Sequence, residues 1–214
     1  MHVVVQESVG QLPFDRSWFL HVNSFARSTP WLHGPARAYA AYGVVLFAAL
    51  LLVTWWTARA HRDVRAVAAA LWAPVGALLA LGLNQPVGRV VAEPRPYAVL
   101  PHVLVLVSRT SDFSFPSDHA VMSGAVAAGI LVASRRWGLV ALVAAVLMCL
   151  TRVYVGAHFP GDVLAGLLFG AAVSLAGYLV LRRLLERAVR MVAATALRPL
   201  VLAGPPTRLE SLER

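Results

Sequence analysis

Five apolar runs leave this chain few folds to choose from. They extend from about Tyr39 to Trp56, Ala66 to Val91, His119 to Ser134, Trp137 to Val155 and Val163 to Leu181. Each is long enough, or nearly so, to cross about 30 Å of hydrocarbon as a helix. A helix satisfies its own backbone groups in lipid, which an open strand cannot do. Composition agrees, with 59% of the 214 residues hydrophobic and only 14% charged, against about 25% charged in a soluble domain. The expected fold is all-α, a polytopic membrane bundle of five to six helices. It forms one domain over residues 1–190, and residues 191–214 read as a solvated cytoplasmic tail without chemistry.

The sixth helix is a shorter segment, residues 17–31. It places Trp18, Val22 and Phe25 at helical spacing, with Asp15 or Ser17 available as N-cap. It reads as an interfacial or partly inserted helix, with a core-packed loop as the alternative. Pro74 lies within the second apolar run and reads as a tolerated kink. Gly166 with Gly170, and Ser123 with Ala127, are small-residue pairs at the spacing that lets helices pack closely. The single cysteine, Cys149, sits in an apolar run and reads as a small core residue, which excludes a disulfide scaffold. Met1 to Gly10 has no basic n-region and only a three-valine run, so no cleavable signal peptide is expected. No internal repeat is visible.

The formal charge is +9, and every one of the 19 basic residues is arginine. Nucleic acid is not indicated, because the arginines cluster between apolar runs as they do in cytoplasmic loops. Arg59, Arg62 and Arg65 follow the first run, Arg135 and Arg136 the third, and Arg182, Arg183, Arg187 and Arg190 the fifth. Alternating helices put these three clusters on one side, the cytoplasmic side. Val91 to Asp118 and Tyr154 to Asp162 then face outward.

The outward segments carry ionisable groups at or near membrane depth, where they are costly and point to function. They are Glu93-Pro94-Arg95-Pro96-Tyr97, then Phe115-Pro116-Ser117-Asp118-His119-Ala120, then Thr151 to Asp162. Arg95 and Arg152 offer forks that match phosphate oxygens. Ser117 lies at a helix N-terminus, where free N–H groups favour an anion. His119 and His158 can divide the roles of nucleophile and general acid. Asp162, four residues after His158, can fold back to orient the imidazole as the third member of a triad does. These parts suit phosphoryl transfer through a phosphohistidine without a metal or other cofactor. A metal held by His119, His158 and Asp162 is the alternative, but no third histidine stands at ligand spacing.

Pro116-Ser117-Asp118-His119 and Arg152-x5-His158-x3-Asp162, after Arg95-Pro96, resemble the three signature motifs of the type 2 phosphatidic acid phosphatase superfamily. The resemblance covers Val87 to Asp162 by motif. It implies His158 as nucleophile, Asp162 as its orienting partner and His119 as acid to the leaving group. It implies Arg95, Arg152 and Ser117 as phosphate ligands. Two positions depart from the pattern. Gly88 stands where the family usually has a lysine, and Arg89 is the candidate to supply that charge. Asp118 replaces a usual glycine beside the anionic substrate, so Arg89 or Arg109 is expected to pair with it.

The Phe-Pro-Ser-Asp-His-Ala form with Glu93-Pro94-Arg95-Pro96 is most similar to the bacitracin-resistance branch, the undecaprenyl-diphosphate phosphatases of the bacterial plasma membrane. That resemblance implies a multi-pass protein, lipid as its surroundings, and hydrolysis of undecaprenyl diphosphate at an outward-facing site. The alternatives are phosphatidylglycerophosphate or phosphatidic acid as substrate, an anion or proton transporter, and an inactive scaffold. A soluble haloperoxidase with a related pocket is excluded by the membrane helices. Nothing in the residues points to a protein partner.

Overall fold

A computed structural model describes residues 13–204. The expectations for Met1 to Gly10 and for the tail beyond Gly204 lie outside the described residues. Their regular structure is all helical, with no strand among the described residues. In chain order the helices are α1 (Pro13–Ser28), α2 (His33–Ala60), α3 (Val64–Val91), the single turn α4 (Pro96–Val99), α5 (Asp118–Ala133), α6 (Arg135–Tyr154), α7 (Pro160–Ala193) and the single turn α8 (Arg198–Val201). The segments Pro30–Ala60, Val64–Val99, Arg135–Tyr154 and Pro160–Ala193 are long and apolar enough to cross a membrane. α5, at 16 residues, is the short one, about 24 Å at 1.5 Å per residue.

α5 is the hub, because it is apolar on every side and built largely of small residues. Ala120, Val121, Ala125, Val126 and Ile130 are all buried, and the helix packs against α3, α6 and α7. Its closest approach is to α7. A Cβ on Gly166 would stand 2.8 Å from the Ser117 carbonyl, and one on Gly170 would collide with the Val121 carbonyl. The small-residue pair is therefore a backbone-to-backbone contact, as expected. Outward faces carry Leu52, Leu78, Val143 and Val180, which are exposed and apolar, as lipid-facing surfaces are. Both Pro74 and Pro86 lie inside α3. Cys149 is a buried core residue whose thiol points at the Val163 carbonyl.

Three details differ from the sequence expectation. First, α1 begins at Pro13, so Asp15 sits inside its first turn and does not cap it. The Asp15 carboxylate instead accepts from the Gly161 N–H, 2.7 Å away, at the start of α7. Second, α1 carries a buried face that the spacing did not indicate, Phe19, Asn23 and Ala26, while Trp18 and Phe25 of the apolar stripe are exposed and Val22 is half-buried. Third, the domain does not end near residue 190. α7 continues to Ala193, and the following segment folds back, burying Val201 and Leu202 against Ala58, Val67 and Val189. The Pro199 carbonyl accepts from Arg59 Nη1 at 2.6 Å, and the Leu200 carbonyl from Trp55 Nε1 at 3.1 Å. Apolar burial and these bonds outweigh the solvation of a short arginine-bearing tail.

Candidate functional site

The ends of α3 and α6 and the starts of α5 and α7 meet at one end of the bundle, opposite the arginine-rich turns. Arg95, Arg152, His119 and Asp118 line a single cavity there of about 760 Å³. The three sequence segments thus converge, as expected. The loop from Leu100 to Phe115 closes the cavity from above and is tied down at several points. Asn23 of α1 donates to the Leu104 carbonyl at 2.8 Å and accepts from the Leu104 N–H at 3.1 Å. The Leu106 N–H donates to the Val155 carbonyl at 2.9 Å, and the Ser114 N–H to the Glu93 carbonyl at 2.7 Å.

His158 is set by a tight turn. Gly156 takes φ +78° and lies directly against the Leu104 carbonyl, where any Cβ would collide. The chain therefore reverses after α6 and buries His158, which is only 2% exposed. Nδ1 donates to the Ser114 carbonyl at 2.9 Å, and Nε2 accepts from Arg95 Nη1 at 3.1 Å. These partners place the ring proton on Nδ1 and leave a lone pair on Nε2. Burial holds the imidazole pKa below its ordinary value, with the charges of Arg152 and Arg95 adding to the effect and the Asp162 carboxylate opposing it. Burial thus favours the neutral ring, whose Nε2 lone pair is held by Arg95 Nη1.

Asp162 is in place but reaches the histidine less directly than a triad implies. α7 begins at Pro160, and Asp162 Oδ2 accepts from the Phe159 N–H at 2.8 Å and from the Ser114 hydroxyl. The same oxygen is 3.5 Å from His158 Nδ1, an ion-pair distance and longer than a good hydrogen bond. Ser114, fully buried, holds both partners with its carbonyl and its hydroxyl. Sequence reasoning missed this residue. It stands just before the Phe115 to Ala120 segment, outside the motif as read.

Arg95 is fully engaged. It forms a two-pronged ion pair with Asp112, Nε to Oδ1 at 3.0 Å and Nη2 to Oδ2 at 2.9 Å, and Nη1 also donates to the Ala157 carbonyl at 3.0 Å. The Asp112 carboxylate occupies the fork a phosphate would use. Burial works against its charge, but the Arg95 and Thr110 hydrogen bonds and the Arg95 charge hold its pKa below the usual carboxylate range. Asp112 was not singled out in the sequence.

Arg152 is 8% exposed and makes no hydrogen bond or ion pair with the described residues. A buried cation left without a partner is costly, so the cavity is built for an anion. Ser117 caps the N-terminus of α5; it is fully buried, and its hydroxyl has no hydrogen-bond partner among the described residues. Neither Ser117 nor His158 reaches the cavity wall; both lie behind it.

The two departures from the motif resolve differently from expectation. Asp118 pairs with neither Arg89 nor Arg109. Its Oδ1 accepts from Asn84 Nδ2 at 2.7 Å and from Gln85 Nε2 at 3.2 Å. One turn of α3 presents these two amides toward the start of α5, while Arg109 stacks over the Tyr97 ring at 5.6 Å. Neutral amides on a facing helix thus replace the expected arginine. Arg89 is exposed and lines a separate cavity of about 230 Å³ together with Gly88, Phe113 and Phe115. That cavity shares Asp112 and Asp118 with the larger one, and the rotation of one residue along the helix accounts for the offset. Among the described residues, no group of three histidine, cysteine, aspartate or glutamate side chains is placed to hold a metal ion.

The PAP2 superfamily model matches residues 69–186. The chain is 30% identical over 152 residues to the bacitracin transport permease protein BcrC of Bacillus licheniformis, covering 71% of this chain and 73% of that one. It is 33% identical to the putative undecaprenyl-diphosphatase YbjG of Escherichia coli over 72% and 76% of the two chains. It is 31% identical to the undecaprenyl-diphosphatase BcrC of Bacillus subtilis over 59% and 63%. Among solved structures, the transmembrane PAP2-type phosphatidylglycerolphosphate phosphatase of Bacillus subtilis superposes with a TM-score of 0.55 at 18% identity, covering 85% and 89%. The matched span contains every motif described above, and this chain is a multi-pass membrane protein belonging to the PAP2 superfamily.

Proposed function

We propose that this protein is a membrane lipid-phosphate phosphatase that hydrolyses undecaprenyl diphosphate to undecaprenyl phosphate and inorganic phosphate. The observation that carries the reading is the buried, unpaired Arg152 facing a cavity beside a histidine whose Nε2 lone pair points at Arg95. The names of the bacterial relatives support the diphosphate as substrate.

The terminal phosphoryl group takes the place of Asp112 on the Arg95 fork and neutralises Arg152. His158 Nε2 then attacks phosphorus, and the bond to the lipid phosphate oxygen breaks. His119, on the cavity wall, gives that oxygen a proton. Asp162, through Ser114, keeps the Nδ1 hydrogen in place while the imidazole becomes cationic. Water, losing its proton to His119, next attacks the phosphohistidine and releases phosphate and free His158. Charge on the equatorial oxygens is met by the arginines and by Ser117 at the start of α5. Arginines outnumber carboxylates on the cavity wall, three to two, which supports a metal-independent reaction.

In this reading the protein lies in a bacterial plasma membrane with its site outward, because the arginine-rich ends oppose the site. Transport is the second reading, favoured by the permease in the name of one relative. Against it stand the ionisable groups, gathered at the helix ends and away from the middle of the spans.

The test is phosphate release by the purified, detergent-solubilised protein from undecaprenyl diphosphate, phosphatidylglycerophosphate and phosphatidic acid, with EDTA present. The expected outcome is preference for the diphosphate, abolished in a folded His158→Ala variant. Release by that variant overturns the covalent step, a strict need for added metal overturns metal independence, and no release from any lipid favours transport.

A further inference from the structure

A third arginine lines the same cavity. Arg37, on the first turns of α2, borders it with Ala40 and Ala41, on a different helix from those that carry Arg95 and Arg152. It is exposed and makes no hydrogen bond or ion pair with the described residues. Its neighbours on the same helix turn, Ala36 and Tyr39, line a second cavity of about 680 Å³. That one is walled by apolar side chains of α1, α2 and α6, among them Val22, Phe25, Leu46, Val143 and Leu147. The first turns of α2 therefore divide the polar cavity from an apolar groove.

Of the arginines near the site, Arg89 lines the separate small cavity, which leaves Arg37, Arg95 and Arg152 to the polar one. Arg95 is tied to His158 at 3.1 Å, so its fork belongs to the phosphoryl group that is transferred. Any phosphate left on the lipid must lie between that point and the apolar groove, which is where Arg37 stands.

We propose that Arg37 binds the phosphate that stays on the lipid, making it the residue that favours a diphosphate over a monoester. This rests on the diphosphatase reading above. An exposed, unpaired guanidinium beside an apolar groove gives a charge-assisted contact to the retained phosphate. A monoester carries no second phosphate to use it.

The test uses the full-length protein in detergent, as wild type, Arg37→Ala and Arg37→Lys. Kinetic constants are measured on undecaprenyl diphosphate and phosphatidic acid, and inhibition by undecaprenyl phosphate and by inorganic phosphate. In Arg37→Ala, kcat/KM is expected to fall about tenfold further for the diphosphate than for phosphatidic acid, chiefly through KM. The inhibition constant for undecaprenyl phosphate is expected to rise about tenfold, well beyond any change for inorganic phosphate, and Arg37→Lys should restore part of both. Equal losses on both substrates, or no loss, in a background where wild type prefers the diphosphate, overturn the role of Arg37 alone. A wild type that does not cleave the diphosphate overturns the diphosphatase reading, and the inference with it.

Discussion

His158 gives its Nδ1 hydrogen to the Ser114 carbonyl at 2.9 Å and stands 3.5 Å from the Asp162 carboxylate. The orienting group closest to the ring is thus a backbone oxygen, and the Ser114 hydroxyl links that residue to the carboxylate. Ser114→Ala keeps the carbonyl and loses the link. The lost contact is a hydrogen bond to a charged group, about 1.5–3 kcal/mol. kcat should fall by about ten- to hundredfold with KM little changed. Equal loss in kcat and apparent affinity, or no loss, would show that Asp162 acts without Ser114.

The pH profile follows from the same geometry. A histidine nucleophile works when neutral, and burial lowers the His158 pKa from its ordinary value of about 6.5. As pH falls, the neutral form survives until the lowered value is passed. The acid limb of kcat/KM, which reports the free enzyme, should therefore lie below about 6.5, and an acid limb at or above that value would argue against neutral, buried His158 as nucleophile.

Asp112 holds the fork of Arg95 in the position a phosphate would take. With its pKa below the usual carboxylate range, it stays charged at neutral pH and competes with substrate. Asp112→Ala should tighten inhibition by inorganic phosphate or orthovanadate about two- to fivefold, the range of a largely exposed ion pair. Weaker inhibition would mean that Asp112 chiefly positions Arg95.

Gly170 tests the packing that brings α5 and α7 together. Alanine in a helix ordinarily adds about 0.5–1 kcal/mol over glycine. Here its Cβ would meet the Val121 carbonyl, a backbone atom that cannot turn aside, and overpacking costs about 1–3 kcal/mol. Gly170→Ala is therefore expected to lower the thermal unfolding midpoint in detergent, and a rise would contradict the close contact.

Much of this was legible in the sequence, and for identifiable reasons. Lipid demands continuous apolar helices, so the five runs announce themselves, and alternating topology brings Arg95, His119 and His158 to one end. Residues whose role depends on a partner far along the chain were not legible. Ser114 acts on a histidine 44 positions away and Asp112 on an arginine 17 positions away, and neither carries a local pattern. Arg37 lies outside the apolar run as read from composition, so only the meeting of α2 with the cavity shows it. Asp118 misled because opposite charge is the obvious partner for a carboxylate, whereas helix register supplied Asn84 and Gln85. The tail looked solvated because Gly204, Pro205 and Pro206 read as a chain end, whereas Val201 and Leu202 just before them are covered by Ala58 of α2 and Val67 of α3.

The contact between Gly170 and Val121 has one more consequence. It joins α5, with His119 in its first turn, to α7, with Asp162 in its first turn, so the proton donor and the orienting carboxylate of the proposed reaction ride on one stiff frame. A long, floppy tail arriving from the bilayer has to be accommodated by the outer wall, where α1 and α2 border the apolar groove. In the proposed reaction, tolerance for tails of different length and shape is then a property of the rim, and the timing of bond cleavage is insulated from it.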